Sequence, residues 1–208
     1  MRKINNLLII ANGQKESAAF LKAQASKSDF ILALDGGADT ALKAKIMPDA
    51  VVGDLDSISP AAKAKIPAIK LFKIARQDNT DFEKGLNFAT YIKPQSITVV
   101  CATGGRLDFT LGNFSSVFSY TKKLNIVFKG QGWRLYPLEK SATFKCKKGA
   151  TVSLIPMGKA SGITLTNLKY PLKDATLTIG QTAVSNVALK DKIKVEIKSG
   201  RLLAIIYD

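Results

Sequence analysis

The sequence predicts an α/β fold in two parts: an N-terminal, mostly parallel sheet with helices on both faces, then a C-terminal antiparallel β-sandwich. Three observations carry this reading. Through residue 130, short apolar runs alternate with helix-like segments, the pattern of strands that are covered on both sides. Beyond Gly130 the chain breaks into short segments rich in Val, Ile, Thr and Leu, parted by Gly, Pro, Asn and Lys, with no helical pattern. Hydrophobic residues make up 46% of the 208 positions, enough for a core in each part. The expected division is 1–130 and 131–208, and neither part contains a repeat or a low-complexity tract.

In chain order, Leu7 to Ala11 reads as a buried strand and Ser17 to Gln24 as a helix. Phe30 to Leu34 is a second strand, Asp39 to Lys45 a short helix, and Ala50 to Val52 the end of a third strand. Ser59-Pro60 has the form of a helix start, with a capping serine and proline in the first turn. Ala68 to Phe72 is strand-like. Asp81 to Tyr91 places Phe82, Leu86 and Ala89 on one helical stripe. Ser96 to Cys101 is a continuous apolar strand, Leu107 to Thr121 is helical, and Asn125 to Lys129 is a strand. The second part reads as strands at Ala142 to Lys145, Thr151 to Ile155, Gly162 to Leu165, Ala175 to Ile179, Gln181 to Val187, Lys192 to Ile197 and Leu202 to Tyr207. Trp133, near the junction, reads as a packing residue.

Composition excludes several chemistries. There is no histidine, which removes Ser-His and Cys-His nucleophile pairs and histidine metal sites. Cys101 and Cys146 have no metal-binding spacing, and a disulfide is not expected in a reducing compartment. No apolar run reaches the roughly 18 residues that suggest a membrane span. The basic start followed by Leu7 to Ala11 resembles a leader, but Asn12-Gly13 follows without a cleavage site, so a first strand and a cytoplasmic protein are expected. The net charge of +15 raises nucleic acid as a partner. The lysines are dispersed, however, so a solvated surface that attracts phosphorylated small molecules is the preferred reading.

Four stretches place carboxylates or glycines where strands end: LALDGGAD (Asp35, Gly36, Gly37), VVGDLDSIS (Asp54, Asp56), RQDNTDFEKG (Asp78, Asp81) and CATGGRLDFTLGN (Gly104, Gly105, Arg106, Asp108). In an open parallel sheet these loops share the edge beyond the carboxyl ends of the strands, where ligands bind. Asp35, Asp54, Asp56, Asp81 and Asp108 can therefore converge. Bare carboxylates in one crevice repel, and Mg²⁺, a hard cation that takes oxygen ligands and phosphate, relieves the repulsion. Glycine turns at helix starts offer N–H groups to phosphates, and Arg106 adds a planar cation. Metal, phosphate cradle and arginine together imply phosphoryl-type transfer. Each feature also has a plainer reading. Thr80 and Glu83 fit a helix capping box, and Asp35-Gly36-Gly37 and Asp54-Leu55-Asp56 fit ordinary turns.

The stretches DGGAD, PDAVVGDLDS, QDNTDFEKGL and GGRLDFTLGN, in that order, resemble the thiamine pyrophosphokinase (thiamine diphosphokinase) family. SLIPMG, LTNLKYPL and SNVALKDKIKVEIKSGRLLAII resemble its smaller β domain. The resemblance covers nearly the whole chain and implies a homodimer with active sites between subunits. It implies transfer of the diphosphate of ATP to the hydroxyl of thiamine, with Mg²⁺ as cofactor. It assigns Asp35, Asp54, Asp56 and Asp81 to catalysis, with Asp54, Asp56 and Asp81 on the metal. Gly36, Gly37, Ser57, Gln77, Thr80, Gly104, Gly105, Arg106 and Asp108 fall to the nucleotide side, and Asp81, Ser185 and Asn186 to thiamine. Two positions depart from the family pattern: Phe109 stands where bacterial members often have histidine, and Tyr170 where some relatives have tryptophan. The competing readings are a diphosphokinase acting on another small alcohol such as a hydroxymethylpterin, a basic nucleic-acid-binding protein, and a nucleotide sensor without turnover.

Overall fold

Leu7 to Ile10 are fully apolar and pair on both sides, which makes the first strand the centre of a parallel sheet. In the computed structural model, which describes residues 3–75 and 78–208, the chain forms two compact units, Met1–Gln131 and Gly132–Asp208. The first unit alternates β1 (Asn6–Ile10), α1 (Ala18–Ala25), β2 (Phe30–Leu34), α2 (Gly37–Lys43), β3 (Ala50–Gly53), α3 (Pro60–Lys65), β4 (Leu71–Lys73), α4 (Asp81–Ile92), β5 (Ser96–Val100), α5 (Leu107–Ser116) and β6 (Ile126–Gly130). Its strands lie in the order β6-β5-β1-β2-β3-β4, and every pair is parallel.

Register decides which side chains face which helices. Leu8, Ile10, Ala33 and Val51 share one face and pack with Leu21 of α1, Ala38 and Ala41 of α2 and Ala62 of α3. On the other face, Phe128 meets Phe82 of α4 and Phe114 of α5, and Phe30 meets Phe88 of α4. Helices thus cover both faces, as the sequence predicts. The expected Ser59 cap with Pro60 at the helix start is present, and so is the capping box: Glu83 N–H donates to Thr80 Oγ1 (3.2 Å) and Thr80 N–H to Glu83 Oε2 (3.0 Å).

Two elements of this unit differ from expectation. Ala68–Lys70 is a 3₁₀ turn, closed by Lys70 N–H donating to Pro67 C=O (2.9 Å), so only Leu71–Lys73 is free to pair with β3. The expected long helix after Arg106 stops at Ser116 and tightens into a 3₁₀ turn, Val117–Ser119, which buries Val117 and Phe118.

The second unit holds β7 (Trp133–Leu138), β8 (Ala142–Lys145), β9 (Thr151–Pro156), β10 (Ala160–Thr166), β11 (Ala175–Leu177), β12 (Ala183–Val187), β13 (Lys192–Glu196) and β14 (Leu202–Tyr207). One sheet runs β12-β9-β14-β7 and the other β11-β10-β13-β8, with antiparallel pairing throughout. Leu154, Leu202 and Ile206 from the first and Phe144, Ile163, Ile193 and Val195 from the second share one core, which makes the unit a sandwich. The sequence reading omits β7. Pro137 and the absence of strict alternation hide it, although Trp133 to Leu138 pair in register with Tyr207 to Leu202.

Candidate active site

The sheet order reverses between β1 and β5: the chain steps outward through β2, β3 and β4 on one side and to β6 on the other. The crevice beyond the carboxyl ends of the strands at such a point is where open α/β sheets bind ligands. The loops after β1, β2, β3 and β5 and the start of α4 all reach this edge.

Asp35 ends β2 in a left-handed conformation (φ 44°), its N–H donating to Val52 C=O at 3.0 Å. This geometry turns the chain into α2 and leaves the carboxylate only 3% exposed. Its Oδ2 accepts from Ser57 N–H (3.2 Å), while Oδ1 is buried with no hydrogen-bond partner among the described residues. Oxygens of Asp35, Asp54 and Asp81 lie within 4.8 Å of one another. Burial pushes the Asp35 carboxyl up; the bond from Ser57 opposes this, and the neighbouring charges of Asp81, Asp54 and Asp56 add to it.

Glycine makes the cluster possible. A Cβ on Gly53 would stand 2.9 Å from the Asp35 Cβ and 3.2 Å from Asp81 Oδ1, in the space the carboxylates share. A Cβ on Gly37 would meet Ile10 C=O at 2.2 Å, so only glycine lets the start of α2 close onto β1.

The loop after β3 is held from two sides. Asp56 N–H donates to Asp54 Oδ1 (3.3 Å), and Ser57 Oγ donates to Asp56 Oδ1 (2.9 Å). Further on, Ser59 N–H donates to Asp39 Oδ2 (3.0 Å) and Ser59 Oγ–H to Asp39 Oδ1. Burial pushes the Asp39 carboxyl up, but these bonds from Ser59, helped by Lys43 and Lys15, outweigh it and hold the group below the usual range.

One side chain of the cluster is not among the sequence candidates. Lys84, 4% exposed, points from α4 into the cluster, with Nζ 2.9 Å from Asp81 Oδ1 and 4.0 Å from Asp54 Oδ2. Its signal was present: a lysine three residues after Asp81 on a helix shares that residue's face. The loop after β1 also reaches the site without a sequence signal. Gly13 N–H donates to Cys101 C=O (2.7 Å) and Gln14 N–H to Thr103 C=O (2.7 Å), while the Asn12 side chain lies against Gly36 and that of Gln14 against Gly104. This lacing joins the first and second glycine turns across the strand-order reversal.

The remaining expected residues divide. Asp35, Asp54 and Asp81 come together, whereas Asp56 is exposed on the same loop and outside that trio. Thr80 has its hydroxyl in the capping box. Gly104 and Gly105 are left-handed (φ 74° and 66°) and lead to an exposed Arg106, which bonds Asp108 (Nη2 to Oδ2 2.5 Å) and lies over the Phe109 ring, 4.4 Å from its centre. That pairing raises the Arg106 guanidinium and lowers the Asp108 carboxyl from their ordinary values. Gln77 lies outside the described residues. In the second unit Ser185 is exposed and left-handed (φ 58°), and Asn186 is buried with its amide bonded to backbone.

The donor set and the unpartnered Asp35 Oδ1 fit a hard divalent cation: carboxylate oxygens, no soft ligand, and a space kept open by Gly53. An all-parallel sheet with an acidic, glycine-lined edge, followed by a β-sandwich, defines a two-unit protein of the phosphotransferase kind. Comparison with known proteins makes this specific. The thiamin pyrophosphokinase catalytic domain matches residues 21–128, and the vitamin B1 binding domain of the same family matches residues 137–202. Thiamine pyrophosphokinase of Bacillus subtilis is 29% identical over 99% of this chain and 98% of its own length. The crystal structure of the Bacillus subtilis thiamine pyrophosphokinase superposes with a TM-score of 0.84 at 25% identity, covering 98% of this chain and 99% of that one. The Candida albicans enzyme shares the fold at a TM-score of 0.87 and 21% identity, covering 98% of this chain and 89% of that one. The chain belongs to the thiamin pyrophosphokinase family, a family of diphosphotransferases that use ATP.

Proposed function

We propose that the protein transfers the diphosphate of ATP to the hydroxyl of thiamine, giving thiamine diphosphate and AMP, with Mg²⁺ as its metal. The observation that carries this is the convergence of Asp35, Asp54, Asp81 and Lys84 at the sheet edge of a matched catalytic domain.

The reaction needs a diphosphate aligned with an alcohol and stabilised as charge shifts to the leaving phosphate, with little covalent work by the protein. Asp35, Asp54 and Asp81 would hold Mg²⁺. When bound, the cation offsets negative charge on the transferred diphosphate. Lys84 orients Asp81 through its 2.9 Å contact and keeps a positive charge beside the carboxylates. Gly36-Gly37 and Gly104-Gly105 leave space for backbone approach to phosphates, and Arg106 is free to exchange Asp108 for a phosphate. Ser57 and Asp56 extend the rim of the crevice. A carboxylate of the cluster accepts the thiamine hydroxyl proton. The vitamin B1 binding match over residues 137–202 supports thiamine recognition by the second unit, and we assign it there to Ser185 and the Tyr170 segment.

The family resemblance further supports a homodimer with active sites between subunits, which sedimentation tests directly: a monomer at working concentration overturns it. We read the enzyme as cytoplasmic; among the described residues no helix is long and apolar enough to cross a membrane. The central test is AMP release from ATP and Mg²⁺ with and without thiamine, with the product identified by mass. AMP formed one-for-one with thiamine diphosphate is expected. A folded, ATP-binding sample that yields no thiamine-dependent AMP overturns the assignment, and acceptance of pterin alcohols in its place redirects it.

A further inference from the structure

The Ser185-Asn186 pair reads from sequence as two substrate ligands, and the structure gives them unlike surroundings. Asn186 is 4% exposed. Its Oδ1 accepts from Tyr170 N–H (2.9 Å) and Val187 N–H (2.9 Å), and its Nδ2 donates to Tyr170 C=O (2.6 Å). An amide has two donor hydrogens and two acceptor sites, so three of the four are committed to backbone. Both polar groups of the Tyr170 backbone are held by this one side chain. The segment before it is tied to the strand after it: Lys169 N–H donates to Val187 C=O (2.9 Å), Leu189 N–H to Asn167 C=O (2.9 Å), and Leu168 bridges Ala188.

The strand carrying Asn186 is shaped to turn the amide inward. Its pairing with β9 shifts register between Ala183 and Asn186, and Ser185 is left-handed with its N–H donating to Ser153 Oγ (3.1 Å). A bulge of this kind re-aims the following side chain. The result is an aromatic ring standing 58% exposed on a backbone whose N–H and C=O are both bonded to Asn186.

We infer that Asn186 is a positioning residue: it acts through Tyr170, fixing that ring as one wall of the thiamine subsite, and does not itself bind the substrate. The inference rests on the thiamine reading above. Thiamine carries two flat rings joined by a methylene, a pyrimidine and a cationic thiazolium, and an aromatic face attracts such groups. A ring on a backbone already fixed by hydrogen bonds loses less freedom on binding than one on a loose loop.

The test is steady-state kinetics on the full-length protein, starting with the parent. A parent without thiamine-dependent AMP formation refutes the thiamine reading, and with it this inference; a parent that turns over isolates the inference. Asn186→Ala and Tyr170→Ala are each expected to raise the KM for thiamine about tenfold, the size of a lost ring contact. The KM for ATP and kcat should stay within about twofold, and the double variant should be no worse than the more severe single one. Multiplied effects, about a hundredfold in the double variant, would make Asn186 an independent ligand and overturn the inference. An unchanged thiamine KM in folded Asn186→Ala, or equal damage to both substrates, would also overturn it. Should Asn186→Ala fail to fold, Asn186→Asp keeps the acceptor for Tyr170 and Val187 and loses the donor. Tyr170→Trp then serves as reporter: its emission should change with thiamine, and adding Asn186→Asp should weaken that response several-fold. An equal response in both refutes the positioning role.

Discussion

At the carboxyl edge of the parallel sheet, Asp35, Asp54 and Asp81 are gathered by a left-handed turn, a glycine and a helix start, with the buried amine of Lys84 beside Asp81 and Asp54. Arg106, at the end of the loop after β5, and Asp108, in the first turn of α5, have side chains 71% and 63% exposed that pair with each other, with the Arg106 guanidinium lying over the Phe109 ring. The two regions manage charge in opposite ways. The first fixes its groups before any ligand arrives and bears the repulsion of crowded carboxylates. The second leaves a cation in solvent, where a pair is worth little and exchanging Asp108 for a phosphate costs little. Rigid acid and adjustable base together suit a ligand that brings its own metal and phosphates.

The largest effect is expected where the fixed cluster loses charge. Asp54→Asn keeps the size of the side chain and should lower kcat/KM about a thousandfold, while the melting temperature stays the same or rises. Turnover within tenfold of the parent would remove the cluster from the chemistry. Next comes Lys84→Met. It leaves Asp81 and Asp54 crowded without their buried counter-charge, and about a hundredfold loss of activity is expected. The metal-free protein should also lose about 2–3 kcal/mol, because one partner of a largely buried pair is removed. Denaturant unfolding in a chelator measures this, and Mg²⁺ should restore little of the loss if Lys84 also holds the carboxylates in place. Lys84→Arg, which keeps the charge but not the shape, should recover part of the stability.

Arg106→Gln tests the adjustable side. The expected result is about a tenfold rise in the KM for ATP with an unchanged melting temperature. Raising the salt concentration should narrow the gap between variant and parent, because an exposed cation is screened. A variant that melts early would show that the loop is structural.

How much of this could be read in the sequence follows the same division. The alternating apolar runs, the Ser59-Pro60 start and the Thr80–Glu83 box fix most elements, because they are local signals. The 3₁₀ turns at Ala68–Lys70 and Val117–Ser119 and the strand Trp133–Leu138 escape, because Pro67, the buried Val117-Phe118 pair and Pro137 interrupt the periods on which such reading depends. Asp35 and Asp54 are visible as strand-end residues and Asp81 as the start of a capped helix, and the all-parallel order brings them to one edge. What the sequence does not show is which of them touch. Asp35 joins Asp54 and Asp81 because φ is positive at Asp35 and Gly53 has no side chain, while Asp56 turns outward on the same loop. Lys84 is hidden for another reason: in a chain of 31 basic residues, nothing local separates one buried lysine from the solvated ones.

The smallest effect sharpens the cost of the fixed cluster. Burial, with the nearby charges, raises the Asp35 carboxyl above its ordinary value of 3.8, and the bond from Ser57 only partly offsets this. A carboxyl with a raised folded value favours the protonated fold. Its ionisation therefore takes stability away as pH climbs from about 3.8 through the folded value, and the full penalty is present at neutral pH. Asp35→Asn removes that charge and should stabilise the metal-free protein at pH 7 by about 1 kcal/mol, a rise of about 2–4 °C in melting temperature for a chain of this size. The gain should vanish as pH falls below 3.8, where the parent is protonated in both states. Excess Mg²⁺ at pH 7 should reverse the order, stabilising the parent above the variant, because only the parent offers the full set of carboxylates. If the variant melts lower than the parent without metal, the Ser57 bond outweighs the repulsion, and the cluster is held at no cost to the fold.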